Sequence, residues 1–333
     1  QFVIVVVSAV FTWIIPFIMD RVWQLVKIPW VYGILGLVLL GVVCLVGNTS
    51  FGAQLSIEIA GVTMQPSEFV KLSFVFFAAS MLYQSTEWKQ VVKVTVMAAL
   101  HVLILVLSKD LGSAFIFFVT YLFMLFVATS NWLYLTAGSL SGCLAGVAAY
   151  GLFQHVRVRV MAWRDPWSDI ENKGYQVAQS LFAIGTGSWF GMGLFQGQPD
   201  TIPVASSDFI FSAICEEMGL IFGLCMTLVC VSCYVMFLNI AMQLRNMFYK
   251  LVALELGTCY IFQVFLNIGG VTKFIPSTGV TLPLVSYGGS SILSTLIMFA
   301  IIQGLYILRE DEEENLERKK KERLRAERGR GEV

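Results

Sequence analysis

The chain has 333 residues, of which 57% are hydrophobic and only 13% charged, and its 22 basic residues are balanced by 22 acidic ones. A mean hydropathy of +0.76 lies far outside the range of water-soluble domains, so a soluble globular fold is excluded. The cancelled net charge carries no information about partners, and no nucleic acid is expected among them.

A helix needs roughly 20 apolar residues to cross the hydrocarbon of a bilayer. Nine stretches of about that length follow one another, approximately 2–18, 29–47, 67–84, 94–109, 111–129, 132–153, 208–239, 249–269 and 283–308. The fold class expected is therefore all-α, a polytopic transmembrane helical bundle over 1–308 with a charged tail over 309–333. The first stretch has no basic n-region and no small-residue cleavage site before Asp20, so it reads as a span and not as a signal peptide. Because the chain opens inside that span, an upstream piece is expected.

Short basic loops are retained in the cytoplasm. Those with Arg21 and Lys27, with Lys89 and Lys93, and with Arg245 and Lys250 fall on one side together with the tail, which places the C-terminus in the cytoplasm and Gln1 outside. Gly138, Gly142 and Gly146 repeat at four-residue spacing, a pattern that lets a second helix approach closely. The seven cysteines, Cys44, Cys143, Cys215, Cys225, Cys230, Cys233 and Cys259, sit in apolar runs without the paired spacing of zinc or redox sites and read as buried thiols.

The connection over 154–207 is expected to be a long outer loop. It carries Arg157, Arg159, Trp163, Arg164, Asp165, Trp167, Asp169 and Lys173, then a glycine-rich stretch from Gly185 to Gly193. Loops of this length usually serve a function. The glycines have neither the strand nor the Lys-Ser/Thr pair of a nucleotide loop, and are expected to let the segment fold against the membrane surface.

Ionisable residues at membrane depth are costly, so each marks a site or a buried pair. Glu68 lies three residues before Lys71, close enough to pair on one helix face. Lys109 and Asp110 interrupt an apolar run, as a tight turn would. Glu255 is expected to face the bundle interior. Asp208 opens a long helix that carries Glu216 and Glu217 two turns on. Capping is the commonest role for such an Asp, yet a carboxylate at the outer mouth of a bundle can also deprotonate a hydroxyl or help hold a divalent cation. The only two histidines, His101 within a span and His155 beside Arg157 and Arg159, are poor candidates for a base.

Five segments, in this order, resemble the shape, elongation, division and sporulation (SEDS) family that includes RodA and FtsW. They are Gln65-Pro-Ser-Glu-Phe-Val-Lys71, Asp110-Leu-Gly-Ser113, Gly174 to Gly185, Ser207-Asp-Phe-Ile-Phe211 with Glu216-Glu-Met-Gly219, and Pro276 to Ser290, which contains Pro283-Leu-Val-Ser-Tyr-Gly-Gly-Ser290. The resemblance implies a ten-helix protein whose first span precedes this chain. It also implies a peptidoglycan glycosyltransferase that polymerises lipid II outside the bacterial cytoplasmic membrane with a class B penicillin-binding protein. By the same resemblance Asp208 is the catalytic carboxylate; from the chemistry of a carboxylate beside a diphosphate leaving group, it is also the candidate ligand for a divalent cation such as Mg or Mn. Arg157, Arg159, Lys173, Lys109, Asp110, Glu68, Lys71, Ser286 and Tyr287 are candidates for binding the substrate. The chain departs from the family pattern at Val204-Ala-Ser-Ser207, where many relatives have Glu-X-His-Thr, and at Ser108-Lys109, Lys273 and Leu284. A lipid II flippase, with Glu68, Lys71 and Glu255 along its path, is the alternative reading, and a scaffold for a penicillin-binding protein a third.

Overall fold

The computed structural model describes residues 6, 8–16, 27–50, 53–59 and 62–330. Arg21, part of the stretch over 2–18 and most side chains of the tail lie outside the described residues.

Helix α1 (Pro29–Val46) leads into strands β1 (Asn48–Ser50), β2 (Ala53–Ile59) and β3 (Val62–Met64). Then come α2 (Pro66–Gln84), α3 (Trp88–Leu107), α4 (Leu111–Thr129), α5 (Trp132–Leu152), α6 (Gln154–Arg164), α7 (Tyr175–Gly187), α8 (Ile210–Gln243), α9 (Met247–Val271) and α10 (Gly289–Arg330). Residues 8–16 are helical as well. Among the described residues seven helices, α1, α3, α4, α5, α8, α9 and the Gly289–Asp311 part of α10, are long and apolar enough to cross a membrane. Helix α2, 19 residues long, is of spanning length but carries the buried Glu68 and Lys71. The chain is a multi-pass helical membrane protein, as its sequence leads one to expect.

The helix starts follow from local chemistry. Pro29 and Pro66 occupy first-turn positions, where the missing N–H costs nothing. Asp110 accepts from Ser113 N, Asn131 from Leu133 N and Asn246 from Phe248 N, so α4, α5 and α9 each have a side-chain cap. Lys109 and Asp110 do form a turn, with Lys109 in the left-handed region at φ 63°.

Three features differ from the sequence-based expectation. The segment over 48–64 is a three-stranded antiparallel sheet, β1-β2-β3, whose alternation Leu55-Ser-Ile-Glu-Ile59 is too short to stand out in a hydropathy count. The connection over 154–207 is not a plain loop but carries α6 and α7. Asp208 stands in a turn ahead of α8, which begins at Ile210 and has Phe209 at its cap position with no side-chain capping bond.

Apolar burial gives little driving force between helices in lipid, so contact rests on close packing. An ideal Cβ on Gly138 would lie 2.2 Å from Leu122 Cδ1, and one on Gly142 2.5 Å from Phe118 Cζ, so these two glycines seat α5 on α4 while Gly146 faces open space. Helix α9 is buried along most of its length, whereas α5 has no buried residue. The Phe74, Phe77, Phe117 and His101 rings form an aromatic core between α2, α3 and α4. All seven cysteines are free; Cys215, Cys230 and Cys259 are buried as expected, but Cys143 and Cys225 lie exposed on the outer faces of α5 and α8.

The long helix α8 is interrupted at Gly219, where φ is +85°. The glycine-rich segment closes this break: Met192 N and Gly193 N donate to Glu216 O and Glu217 O, while Leu220 N and Ile221 N donate to Ser188 O and Trp189 O. Irregular backbone at membrane depth is tolerable only when its polar groups are paired in this way.

Because the crossings alternate, Lys89, Lys93, Arg245, Lys250 and Arg309 gather at one end of the bundle, where Arg309 Nη1 donates to Gln243 Oε1. The sheet, the turn at Lys109, α6, α7, Asp208 and the connection over 272–288 gather at the other. Helix α10 runs past residue 308 into the charged tail without a break.

Candidate active site

At this second end a cavity of about 650 Å³ is lined by Lys109, Asp110, His155, Arg159, Lys173 and Asp208. Four segments distant in sequence supply these groups: the α3–α4 turn, α6, the segment before α7 and the turn before α8. Ser277, Thr278 and Gly279, from the α9–α10 connection, complete the wall.

The Asp208 turn is fixed through its backbone. Ser207 N and Asp208 N both donate to Val204 O, at 3.1 and 3.2 Å. Three successive carbonyls are held from the other side: Ser206 O accepts from Tyr287 N at 2.7 Å, Ser207 O from Ser286 Oγ, and Asp208 O from Asn267 Nδ2 at 2.9 Å. Asn267 Nδ2 also donates to Val280 O at 2.7 Å, and Leu282 N donates to Ser286 Oγ at 2.7 Å. Arg159 Nη1 donates to Thr278 O at 2.7 Å, which ties α6 to the same connection. Val204, Lys109, Lys273 and Leu284, all at or beside departures from the family pattern, have positive φ between 55° and 63°. Such conformations cluster where a surrounding structure over-determines the backbone, as at binding sites.

The charges in the cavity act on one another. Burial pushes the Asp208 carboxyl above the usual carboxylate range, opposed by a hydrogen bond from Ser207 and by the Arg159 guanidinium, with the Asp110 charge adding to the rise. Burial also raises Asp110, against the stabilising N–H and hydroxyl of Ser113. It lowers Arg159, and both carboxylates counteract this. His155 is held below the ordinary imidazole value by burial and by the nearby Arg159 and Lys109. His155 Nε2 and Thr278 Oγ1 are buried without a hydrogen-bond partner among the described residues, and both residues line this cavity.

The remaining candidates lie elsewhere. Arg157 turns back on its own neighbourhood, donating to Tyr150 O at 2.9 Å and to Gly151 O. Lys71 Nζ is 2.5 Å from Glu68 Oε2 and 2.8 Å from Gln263 Oε1, and Ser294 Oγ donates to the same Glu68 oxygen at 2.8 Å. This buried cluster holds the bundle together, because Gln263 Nε2 reaches on to Thr281 O at 3.1 Å. Ser286 touches the Asp208 turn and does not line the cavity, and Tyr287 is 60% exposed. Glu255 is buried, as expected. Asn267, Gln176 and Thr278 are site residues that the sequence reading missed, since a single polar residue in an apolar or loop segment gives no periodic signal.

A second cavity, about 670 Å³ and almost wholly apolar, runs along α3, α4 and α5 from Trp88 to Phe153. It shares Leu152 and Phe153 with the charged cavity, so an apolar groove from the side of the bundle ends where the charges begin.

The peptidoglycan glycosyltransferase RodA of Mycobacterium tuberculosis is 36% identical over 313 residues, 88% of this chain and 66% of that protein. The probable peptidoglycan glycosyltransferase FtsW of Alcanivorax borkumensis is 33% identical over 268 residues, 77% of this chain and 69% of that protein. The chain therefore spans slightly less than two thirds of the length of its RodA relative. A solved chain described under the structural coordination of polymerization and crosslinking by a peptidoglycan synthase complex has the same fold, with a TM-score of 0.78 at 24% identity over 93% of this chain and 89% of that one. The Thermus thermophilus rod shape determining protein RodA superimposes at a TM-score of 0.65, with 22% identity over 93% of this chain and 87% of that one. The profile of the FtsW, RodA and SpoVE cell cycle proteins matches residues 1–310, and with the bundle and its motifs so arranged, the chain belongs to that family.

Proposed function

We propose that this protein is a peptidoglycan glycosyltransferase that polymerises lipid II on the outer face of the bacterial cytoplasmic membrane. The observation that carries the reading is a half-buried carboxylate, Asp208, that shares one cavity with Arg159, Lys109 and Lys173 where an apolar groove reaches that cavity. The reaction needs those parts. The acceptor hydroxyl oxygen bonds to the anomeric carbon of the donor sugar, the bond from that carbon to the lipid diphosphate breaks, and the hydroxyl proton passes to Asp208. A carboxyl raised by burial is better matched to take that proton near neutral pH. The departing diphosphate carries the bond's electron pair, and Arg159, Lys109 and Lys173 are the cations placed to receive its charge. The prenyl tail lies along α3, α4 and α5.

A divalent cation, Mg or Mn, fits this site only as a companion of the substrate. No group of three or more His, Cys, Asp or Glu side chains suited to a metal occurs among the described residues, so Asp208 would share the ion with diphosphate oxygens. Bound there, it would supply charge for the leaving group. A class B penicillin-binding protein is the partner that cross-links the product, and the end bearing Lys89, Lys93, Arg245 and the tail is the cytoplasmic one. The flippase reading is less well supported, because Glu68 and Lys71 are spent on each other and on Gln263 and Ser294.

The test uses the purified protein in nanodiscs with labelled lipid II, with and without the penicillin-binding protein. Glycan ladders are expected from the wild type and none from Asp208→Ala. Normal polymer from a folded Asp208→Ala would remove that residue from the mechanism.

A further inference from the structure

We infer that Asn267 and Ser286 are positioning residues that clamp the Asp208 turn by its backbone and so set the rate of the chemical step without touching the substrate. The inference rests on Asp208 being the reactive carboxylate. Its basis is the run of three consecutive carbonyls, Ser206, Ser207 and Asp208, each of which accepts from a different donor: Tyr287 N–H, Ser286 O–H and Asn267 N–H. All three donors come from outside the turn, so the turn is held by the connection after α9 and by α9 itself and not by its own backbone alone.

The clamp is anchored on a helix that is buried along most of its length. Asn267 is 3% exposed on α9, and its amide nitrogen spends its two hydrogens on Asp208 O and Val280 O. One carboxamide thereby joins the turn to the connection that carries Gly279. Four residues earlier on the same face of α9, Gln263 donates to Thr281 O, so the connection is held at two successive carbonyls, Val280 O and Thr281 O. Ser286, 2% exposed, accepts from Leu282 N while it donates to Ser207 O. Neither side chain has an atom left to offer a sugar or diphosphate except Asn267 Oδ1, which is buried away from the cavity lining.

Together these bonds fix where the carboxylate stands relative to Arg159, which is held to Thr278 O by the same connection. Misplacement of a reacting group by about 1 Å can cost on the order of a hundredfold in rate. The role differs from packing: it demands hydrogen-bond donors, not volume. Asn267→Asp keeps the shape but replaces the amide nitrogen with an oxygen facing two carbonyl acceptors, and Asn267→Leu keeps the volume alone.

The experiment takes the full chain in nanodiscs and measures kcat and KM for lipid II in Asn267→Asp, Asn267→Leu and Ser286→Ala. Hydrogen–deuterium exchange of the peptides covering 204–212 is followed in parallel. The expected result is a fall in kcat of roughly tenfold or more with KM within about twofold, and faster exchange confined to the turn. Ser286→Thr, which retains the hydroxyl, is expected to restore most of kcat. A higher KM at unchanged kcat would overturn the inference, since it would place these side chains on the substrate. Unchanged exchange over 204–212 would overturn it too, whatever the activity. The arms separate the two readings: if the wild type makes no polymer, the glycosyltransferase assignment fails while exchange still judges the clamp. If the wild type polymerises and the variants match it, only the clamp fails.

Discussion

Asp208 and Arg159 face each other across the space that a side chain on Gly279 would fill: an ideal Cβ there would lie 3.4 Å from Asp208 Oδ2 and 3.7 Å from Arg159 Nη2. Gly279 also has a φ of +74°, where a Cβ is disfavoured by about 1–2 kcal/mol. Gly279→Ala is therefore expected to lower polymerisation by roughly tenfold or more with a small drop in thermal midpoint, because the methyl group sits between the Asp208 carboxylate and the Arg159 guanidinium. Wild-type rates from this variant would show that the gap is not used.

The pH dependence follows from the same pair. A base must be ionised to act, so activity rises with pH through the Asp208 pKa, which burial places above the usual carboxylate range. Arg159 lowers that pKa, so Arg159→Leu is expected to move the acid limb of the kcat profile to higher pH, in addition to any loss of rate. A limb that stays in place, or moves to lower pH, would separate the two groups.

The buried pair of Glu68 and Lys71, 8% and 4% exposed, gives a stability test. Lys71→Met alone leaves a buried carboxylate unpaired and is expected to cost about 3–5 kcal/mol, whereas the double variant Glu68→Gln/Lys71→Met recovers much of that. The thermal midpoints of the three proteins in one detergent measure this. Polymerisation by the double variant is expected to survive, because neither residue lines the charged cavity.

The groove predicts a split in kinetic constants. Ala148, on α5, lines it one turn before Leu152 and is absent from the lining of the charged cavity. Ala148→Phe is expected to raise KM for full-length lipid II by roughly tenfold with kcat unchanged, since the interaction lost is the same in ground and transition states. A donor with a short prenyl chain should be indifferent to the change, and equal effects on both donors would place the tail elsewhere.

How much of this was legible in the sequence depends on how each signal is carried. Lys109 and Asp110 announced a turn because two charges interrupt an apolar run, and Asp208 was singled out by its motif and its place before a long helix. Helix α6 was hidden because its 11 residues are polar and carry three Arg, and α7 because its 13 residues, though apolar enough, are too short for a span. The strands were hidden because β2 has only seven residues in which to alternate. Ser286 was noticed but placed on the substrate, and Asn267 was not noticed at all. Both act on main-chain carbonyls, which carry no trace in the residue pattern.

The sharing of Leu152 and Phe153 between the apolar groove and the charged cavity bears on how the protein meets a lipid-linked ligand. A molecule that arrives by this route travels within the leaflet and never through bulk water, so its effective concentration is a mole fraction of the surrounding lipid. Encounter is then a two-dimensional search, and diluting the bilayer with inert lipid slows turnover even when the total amount of ligand in the tube is constant.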